Sequence, residues 1–539
     1  MQPDLADKWE NTNWQTEFNN MKDVGVTQLF LQWTADSKNK TTVYPSGLSG
    51  YTQNTTHDVV SMALSNANSA GIDVYLGLQT NDDWWGSSCT DTNWVNNEAT
   101  VANQLADNLW SKYGSNTSFK GWYLSFELDN WRFLTQADWD RMISFYQTVA
   151  NHIHTLSPGK PVVIAPFYNT SGGQTSAQWQ AMWEYILASS PVDVIALQDG
   201  VGAGHATVAQ LPEWFNATKN AINDKRPSCQ LWSDAENYNL DWEPMGIKGF
   251  VDDIKAVQTY VINYLSFSYN HYTSPQQVNP IYQNTYKDYV QNGVVESVAP
   301  SVPTTLQATA VDSMTINLSW TASTDNFGIA GYKIYRNNEL VWKIYSNTTS
   351  FTDSQLSANT TYNYQVLAFD AAGNESALCT QASATTLSAT NYPTNLASGK
   401  TYTSTMPADA SYPDTNGTEL TNGVYAANNY ADGAWQGRST SNVYSFVVDL
   451  GSSKSVKEVD SDWMQYKTAT ILLPTKVSYY VSSDNVNFTL LGTINEPAVS
   501  DSTWHQDYKL TNLSATGRYV KVEVTPTGWS FIDEVEVRQ

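Results

Sequence analysis

Seven short apolar runs punctuate the first 293 residues, and stretches with helical periodicity lie between them. The runs are VTQLFLQW from Val26, DVYLGLQ from Asp73, GWYLSFE from Gly121, PVVIAPFY from Pro161, DVIALQD from Asp193, CQLWSDAE from Cys229 and VINYLSFSY from Val261. Strands of a parallel sheet read this way, because helices cover both faces and neither side of the strand meets water. In one intervening stretch Trp14, Phe18 and Met21 fall on one helical face and Gly25 supplies a stop; a second stretch, DWDRMISFYQTVANHIHTL, is longer. MQPDL reads as the end of one more strand, which brings the count to eight. Eight alternating units predict an α/β TIM barrel, the (β/α)8 fold. A doubly wound open sheet fits the same alternation, but no GxGxxG or GxxxxGK[ST] follows a strand, which disfavours a nucleotide-binding version.

After residue 293 the long amphipathic patterns stop. ESVAPSVPTT and LSATNYPTN, rich in Pro, Ser and Thr, bracket one β-like segment, and a second β-like segment completes the chain. The domain reading is 1–293, 303–387 and 394–539, as expected when 539 residues exceed what one core can hold. A net charge of −24 without a basic cluster argues against nucleic acid and anionic membranes, and no apolar run is long enough to insert into a bilayer. Cys89, Cys229 and Cys379 stand far apart with no CxxC, so no disulfide framework is expected. No secretory signal precedes MQPDLADKW; the expectation is a secreted protein, free or at the cell surface, with its signal removed. Aromatics reach 13%, with 21 Trp and 32 Tyr. Such rings stack on the C–H faces of sugars, although they also fill cores.

INLSWTAS with Trp320, AGYKIYRNNE, and LSANTTYNYQVLAFDAAGNES resemble the strands of a fibronectin type III domain, which implies a spacer. NLASGKTYTST, YPDTNGTELTNGVY, SFVVDLGSSKSVKEVD, VSYYVSSDNVNFTLLGT and GRYVKVEVTPTGWSFIDEVEV resemble a discoidin-like (coagulation factor 5/8 type C) jelly roll that binds carbohydrate. The resemblance implies a structural calcium ion at Asp414, Thr418 and Glu534, and a sugar site near Trp435, Arg438 and Tyr466. Oxygen-rich ligand sets suit calcium, but Asp, Asn and Gly also crowd turns for backbone reasons alone.

Barrel sites gather at the C-terminal ends of the strands. Those ends carry Gln32 and Trp33; Gln79, Asp82, Asp83, Trp84 and Trp85; Glu127 and Asp129; Tyr168; Gln198 and Asp199; Trp232, Asp234 and Glu236; Tyr269 and His271. Amides and acids bind hydroxyls, and aromatic rings stack on sugar faces, so the set suits a poly- or oligosaccharide. With MQPDL counted as strand one, Glu127 closes strand four and Glu236 closes strand seven. This arrangement resembles the clan of retaining (β/α)8 glycoside hydrolases, which implies Glu127 as acid/base, Glu236 as nucleophile and no catalytic cofactor. A retaining pair stands about 5–5.5 Å apart. An apolar strand ending at Phe126-Glu127 also offers desolvation, which raises a carboxyl pKa. The chain departs from the clan at Phe126-Glu127-Leu128, where an Asn usually precedes the Glu, and this leaves the sugar open. GWY…E, LQDGVG and W…AE resemble the strand ends of a less characterised group of glycosidase-like barrels, in which Asp199 competes for a catalytic role.

Single residues have plainer readings. A strand-end Glu is more often a helix cap or an ion-pair partner, Asp129 suits a cap for the next turn, and the Trp residues suit a core. The functional expectation is a monomeric glycoside hydrolase tethered to glycan by its last domain. The rivals are a non-catalytic glycan-binding protein and an inverting glycosidase using Asp199 or Asp234. A zinc enzyme and an esterase are disfavoured by the absence of HExxH and GxSxG, while a magnesium site at Asp82, Asp83 and Asp199 stays open.

Overall fold

The computed structural model describes residues 1–539 except 388–391, 393, 415–416, 498 and 500–501. Most of the LSATNYPTN linker and two residues of YPDTNGTELT therefore lie outside the described residues. The chain divides into two compact units, one of Met1–Pro300 with Thr324–Ala330 and Phe369–Glu375, the other of the remaining residues.

All seven apolar runs form strands: β1 (Gln28–Leu31), β2 (Asp73–Gly77), β3 (Phe119–Leu124), β4 (Val162–Ile164), β5 (Val194–Gln198), β6 (Gln230–Glu236) and β7 (Tyr264–Phe267). They pair in parallel in sequence order. The longer helices are α1 (Asn11–Asp23), α2 (Val59–Ala70), α3 (Thr92–Tyr113), α4 (Gln136–Leu156), α5 (Ser176–Leu187), α6 (Leu211–Lys225), α7 (Ile247–Val257) and α8 (Ile281–Asn292). MQPDL does not extend as a strand. Pro3–Ala6 is a 3₁₀ turn, and only Met1 pairs beside β1, donating to the Phe30 carbonyl at 2.7 Å and accepting from the Gln32 N–H at 2.9 Å. A side-chain bond of 3.1 Å from Asn263 to Gln28 links the ends of the sheet near the starts of β7 and β1.

Two layers of apolar contact follow from the period-two alternation of strands. Phe30, Tyr75, Tyr123, Val163, Ala165, Val194, Ala196, Trp232 and Leu265 meet inside the sheet. Phe30 stacks on Tyr75 with centroids 4.3 Å apart. The opposite faces join the helices in the large outer core, where Leu29, Leu76, Trp122, Leu124, Ile195 and Leu231 pack against residues such as Leu105, Phe145 and Phe215. A side chain at Gly121 would put its Cβ 2.4 Å from the Tyr75 ring, so glycine is required for β2 and β3 to pair here. Capping boxes at Thr135/Asp138 and Thr175/Gln178 set the starts of α4 and α5, which fixes where the preceding loops must end.

In the second unit, β8 (Thr304–Ala310), β9 (Ile316–Thr321) and β12 (Ser350–Asp353) form one sheet. β10 (Ile329–Arg336), β11 (Glu339–Ile344), β13 (Thr361–Asp370) and β14 (Ala382–Thr385) form another. Trp320 meets Tyr332 edge-on at 5.2 Å, in the core role expected for it. The last segment holds β15 (Tyr402–Ser404), β16 (Gln436–Thr440), β17 (Tyr444–Val456), β18 (Glu458–Tyr466), β19 (Lys476–Ser482), β20 (Thr489–Asn495), β21 (Ser502–Leu510), β22 (Ala515–Thr525) and β23 (Gly528–Arg538). They make two antiparallel sheets, ordered β15-β17-β22-β19-β20 and β16-β23-β18-β21. Phe446, Val448, Trp463, Tyr479, Val522 and Ile532 fill the space between them. The architecture is α/β followed by all-β sheets, as the sequence predicts, but the parallel sheet has seven strands where eight were expected, because MQPDL forms a turn.

Candidate active site

The site is built from what happens when the inward rows of side chains reach the ends of the strands. Along β3 and just beyond, Tyr123, Ser125 and Glu127 alternate inward: Tyr123 sits in the inner core, and the Ser125 hydroxyl donates to the Gln32 carbonyl at 2.7 Å. Along β5 the row is Val194, Ala196 and Gln198, and along β6 it is Trp232, Asp234 and Glu236. The apolar floor thus gives way to a layer of Gln198 and three carboxyls.

These carboxyls have different surroundings. Burial pushes Glu127 up to about 8, opposed by a hydrogen bond from Gln198 and by Arg132, and reinforced by Asp234 and Glu236. The Gln198 amide also donates to the Ala165 carbonyl at 2.9 Å, which fixes its orientation toward Glu127. Glu236 is raised by burial, but three donors favour its ionised form: the Ala203 N–H at 2.7 Å, the Gly202 N–H and the Tyr238 hydroxyl. Asp234 is pushed up to about 7 by burial and by Glu236.

The LQDGVG stretch explains how backbone donors reach Glu236. Gly200 turns the chain at φ 71°, and Gly202 packs so closely that a Cβ there would lie 2.4 Å from the Tyr238 carbonyl oxygen. Asp199 is buried and holds this turn in place, accepting from Val201 N–H at 3.1 Å and Glu236 N–H at 3.3 Å. It organises backbone behind Glu236.

Asp129 is likewise a structural carboxylate. It accepts from the N–H groups of Trp131 and Arg132, both at 2.7 Å, and its Oδ2 takes the Arg132 Nε at 2.6 Å. Arg132 in turn donates to the Trp84 carbonyl at 2.9 Å and lies 4.9 Å from the Trp85 ring centre. The loop after β3, with the exposed ring of Trp131, is therefore tied to the loop after β2, with the exposed ring of Trp85.

Several expected contact residues are placed elsewhere. Gln79 is buried and donates to Glu98 of α3. Trp84 is buried against Phe126 and Phe133, with its indole N–H on the Glu127 carbonyl at 3.0 Å. Tyr168 is fully buried and stacks on Trp214 at 4.4 Å. Trp232 lies in the inner core, and the Tyr269 hydroxyl turns to Gln283 of α8 at 2.8 Å. These five are interior: Trp84, Tyr168 and Tyr269 pack sideways under the helices, Gln79 turns to α3, and Trp232 fills the inner core. Trp33 is half-buried and Asp82 exposed. His271 is half-buried, with Nδ1 2.6 Å from the Ser268 hydroxyl, and burial lowers it to about 4.

Sequence reasoning missed Tyr238 and Trp242. Tyr238 binds Glu236 and stacks on Trp242, with centroids 4.8 Å apart and planes 7° apart. Trp242 is 56% exposed and has φ 57°, a backbone region that a bulky residue rarely occupies. That conformation, invisible in sequence, is the signal that marks it.

In the last segment Trp435 and Arg438 are both 1% exposed. The Arg438 guanidinium lies 4.6 Å from the Phe446 ring, so both residues are interior. Tyr466 does reach the surface, stacked between Tyr430 at 5.8 Å and Trp504 at 5.2 Å. Asp414 accepts from the Tyr402 hydroxyl at 2.5 Å and from Gly417 N–H at 2.7 Å. Glu534 accepts from Gly423 N–H at 3.0 Å, while its Oε1 is buried with no hydrogen-bond partner, an oxygen suited to a cation.

Known proteins can be set beside this geometry. Residues 1–279 match the family described as "Domain of unknown function (DUF4434)". The chain belongs to the DUF4434 family. Residues 301–382 of this DUF4434 protein match the fibronectin type III domain, and 407–535 match the F5/8 type C domain. Chitinase Chi52 of Paenibacillus xylanexedens is 44% identical over 98 residues, 18% of each chain. The chain spans less than a fifth of the length of the first curated relatives it matches, which include an alpha-amylase of Niallia circulans. A solved structure of a candidate alpha-L-fucosidase from Bacteroides thetaiotaomicron is 22% identical, with a TM-score of 0.46, covering 54% of this chain and 91% of that one. A chitosan-binding module from Paenibacillus sp. IK-5 is also 22% identical, with a TM-score of 0.21, covering 27% of this chain and 99% of that one. The layout is multimodular, and no helix among the described residues is long and apolar enough to cross a membrane.

Proposed function

We propose that the DUF4434 barrel is a glycoside hydrolase of the retaining kind, with Glu127 as acid/base and Glu236 as nucleophile. The observation that carries this reading is the contrast between the two carboxyls. Glu127, lifted to about 8 by burial, holds a proton at neutral pH for the leaving oxygen. Glu236, with donors from Ala203, Gly202 and Tyr238, is arranged to carry negative charge toward an anomeric carbon. Proton donation breaks the glycosidic C–O bond as Glu236 bonds to the anomeric carbon; Glu127, now ionised, then takes a proton from the water that releases the sugar. The exposed Trp85, Trp131 and Trp242 offer stacking faces for sugar rings.

In this proposal the protein acts outside the cell as a monomer. The fibronectin-like segment spaces, and the last segment holds glycan through Tyr430, Tyr466 and Trp504. A structural calcium ion there would use Glu534, with Thr418 at the adjoining turn; Asp414 is occupied by Tyr402 and Gly417 and fits less well. Calcium would tie that turn to β23, and chelator is expected to lower the unfolding midpoint of the segment. The relatives' names, chitinase and alpha-amylase, agree with a glycan substrate.

The test is digestion of a panel of poly- and oligosaccharides by wild type, Glu127→Gln and Glu236→Gln. Each variant is expected to lose about 10²- to 10⁴-fold in rate. Full activity in either would remove that residue from its role. Asp234 is the competing acid, and an Asp234→Asn variant as inactive as Glu127→Gln would transfer the assignment.

A further inference from the structure

We propose that Asp462, His505 and Asp533 form a binding site for a divalent transition metal ion of the zinc class. The three come from three adjacent strands of one sheet. β18 supplies Asp462, β21 supplies His505, and β23 supplies Asp533. The register of β18 against β23 shifts between Asp462 and Trp463. That bulge lets Asp533, which regular alternation would turn away, share the side of Asp462.

One ligand-type atom from each residue lies within 4.8 Å of the others. His505 Nδ1 is 2.5 Å from Asp462 Oδ2 and 3.8 Å from Asp533 Oδ2. The 2.5 Å contact is a hydrogen bond that an ion would replace, because ligands with bonds of about 2.0–2.2 Å stand about 3–3.6 Å apart, a spacing that a small rotation of His505 reaches. The independent observation is that Asp462 Oδ1 and Asp533 Oδ1 are buried with no N–H or hydroxyl donor, on side chains only 2% and 0% exposed, so these two carboxyls have only a proton or a cation to share between them. Buried carboxylate oxygens are normally satisfied, and two beside one imidazole offer a divalent cation three ligands at once. An imidazole nitrogen with two carboxylates suits zinc, cobalt or nickel and not calcium, which takes oxygen ligands.

Trp435 stacks on the His505 ring at 5.4 Å and holds its orientation. Asp462 and His505 face a cavity of about 490 Å³, shared with Tyr425 and Asp507, so a fourth position is open to water or a ligand oxygen.

The test uses the full-length protein, freed of metal by chelation and titrated with Co²⁺, whose visible absorption reports nitrogen and oxygen ligation. His505→Gln and Asp533→Asn are each expected to weaken the site's Co²⁺ affinity at least about tenfold. Zn²⁺ is expected to displace Co²⁺, whereas Ca²⁺ is not. Zn²⁺ should also raise the thermal midpoint of wild type and leave that of His505→Gln unchanged, since the ion crosslinks three strands. His505 is half-buried at the sheet surface, so its variant decides the matter if Asp533→Asn fails to fold. Unchanged Co²⁺ affinity in His505→Gln, or displacement by Ca²⁺, would overturn the assignment.

Discussion

At the scale of the residue, Glu127 is where the account is most exposed to test. Its folded value of about 8 stands above the ordinary 4.5, so the native state keeps a proton that the unfolded chain has lost between those values. Stability should therefore fall as pH rises from 4.5 to 8 and level off above. Glu127→Gln removes that slope. The thermal midpoint of the variant minus that of wild type should grow across this window, and a flat difference would mean that Glu127 is not desolvated. The same proton governs activity, so kcat/KM should decline above about pH 8. Gly202→Ala is a second residue-scale probe. Its Cβ would meet the Tyr238 carbonyl, moving Ala203 N–H from Glu236, and activity should drop by roughly tenfold or more. Circular dichroism should stay native.

At the scale of the element, the loop after β3 is held by one buried ion pair. Asp129 is 1% exposed and depends on Arg132 for its countercharge. Removing one partner of such a pair leaves a charge uncompensated, so Arg132→Ala should cost about 3–5 kcal/mol in urea unfolding. A loss below about 1 kcal/mol would show that the loop is held by its backbone bonds alone. Strand parity also explains how far the site was legible in the sequence. Parallel strands buried on both faces announce themselves as apolar runs, which is why all seven fall where expected. Within them period two already places Gln198, Asp234 and Glu236 on the inward rows. Beyond the last strand residue parity fails. Gln79, Trp84 and Tyr168 turn into the helical layer, and Trp242 depends on a positive φ that no motif encodes. MQPDL misled because its Pro favours a turn, leaving Met1 alone to pair.

At the scale of the whole molecule, the proposed function puts a catalytic barrel and a glycan-binding segment on one chain, which would raise the local concentration of substrate. Tyr466→Ala with Trp504→Ala should weaken adsorption to insoluble glycan roughly tenfold, by loss of stacking. Hydrolysis of soluble oligosaccharide should be unchanged. Equal losses on both substrates would show that these rings serve the fold. The central claim is that Glu127 and Glu236 act as a double-displacement pair. The most direct measurement is proton NMR of the first sugar product, recorded before mutarotation. The account predicts that the anomeric configuration of the substrate is retained; an inverted first product, or no cleavage of any glycan, would contradict it.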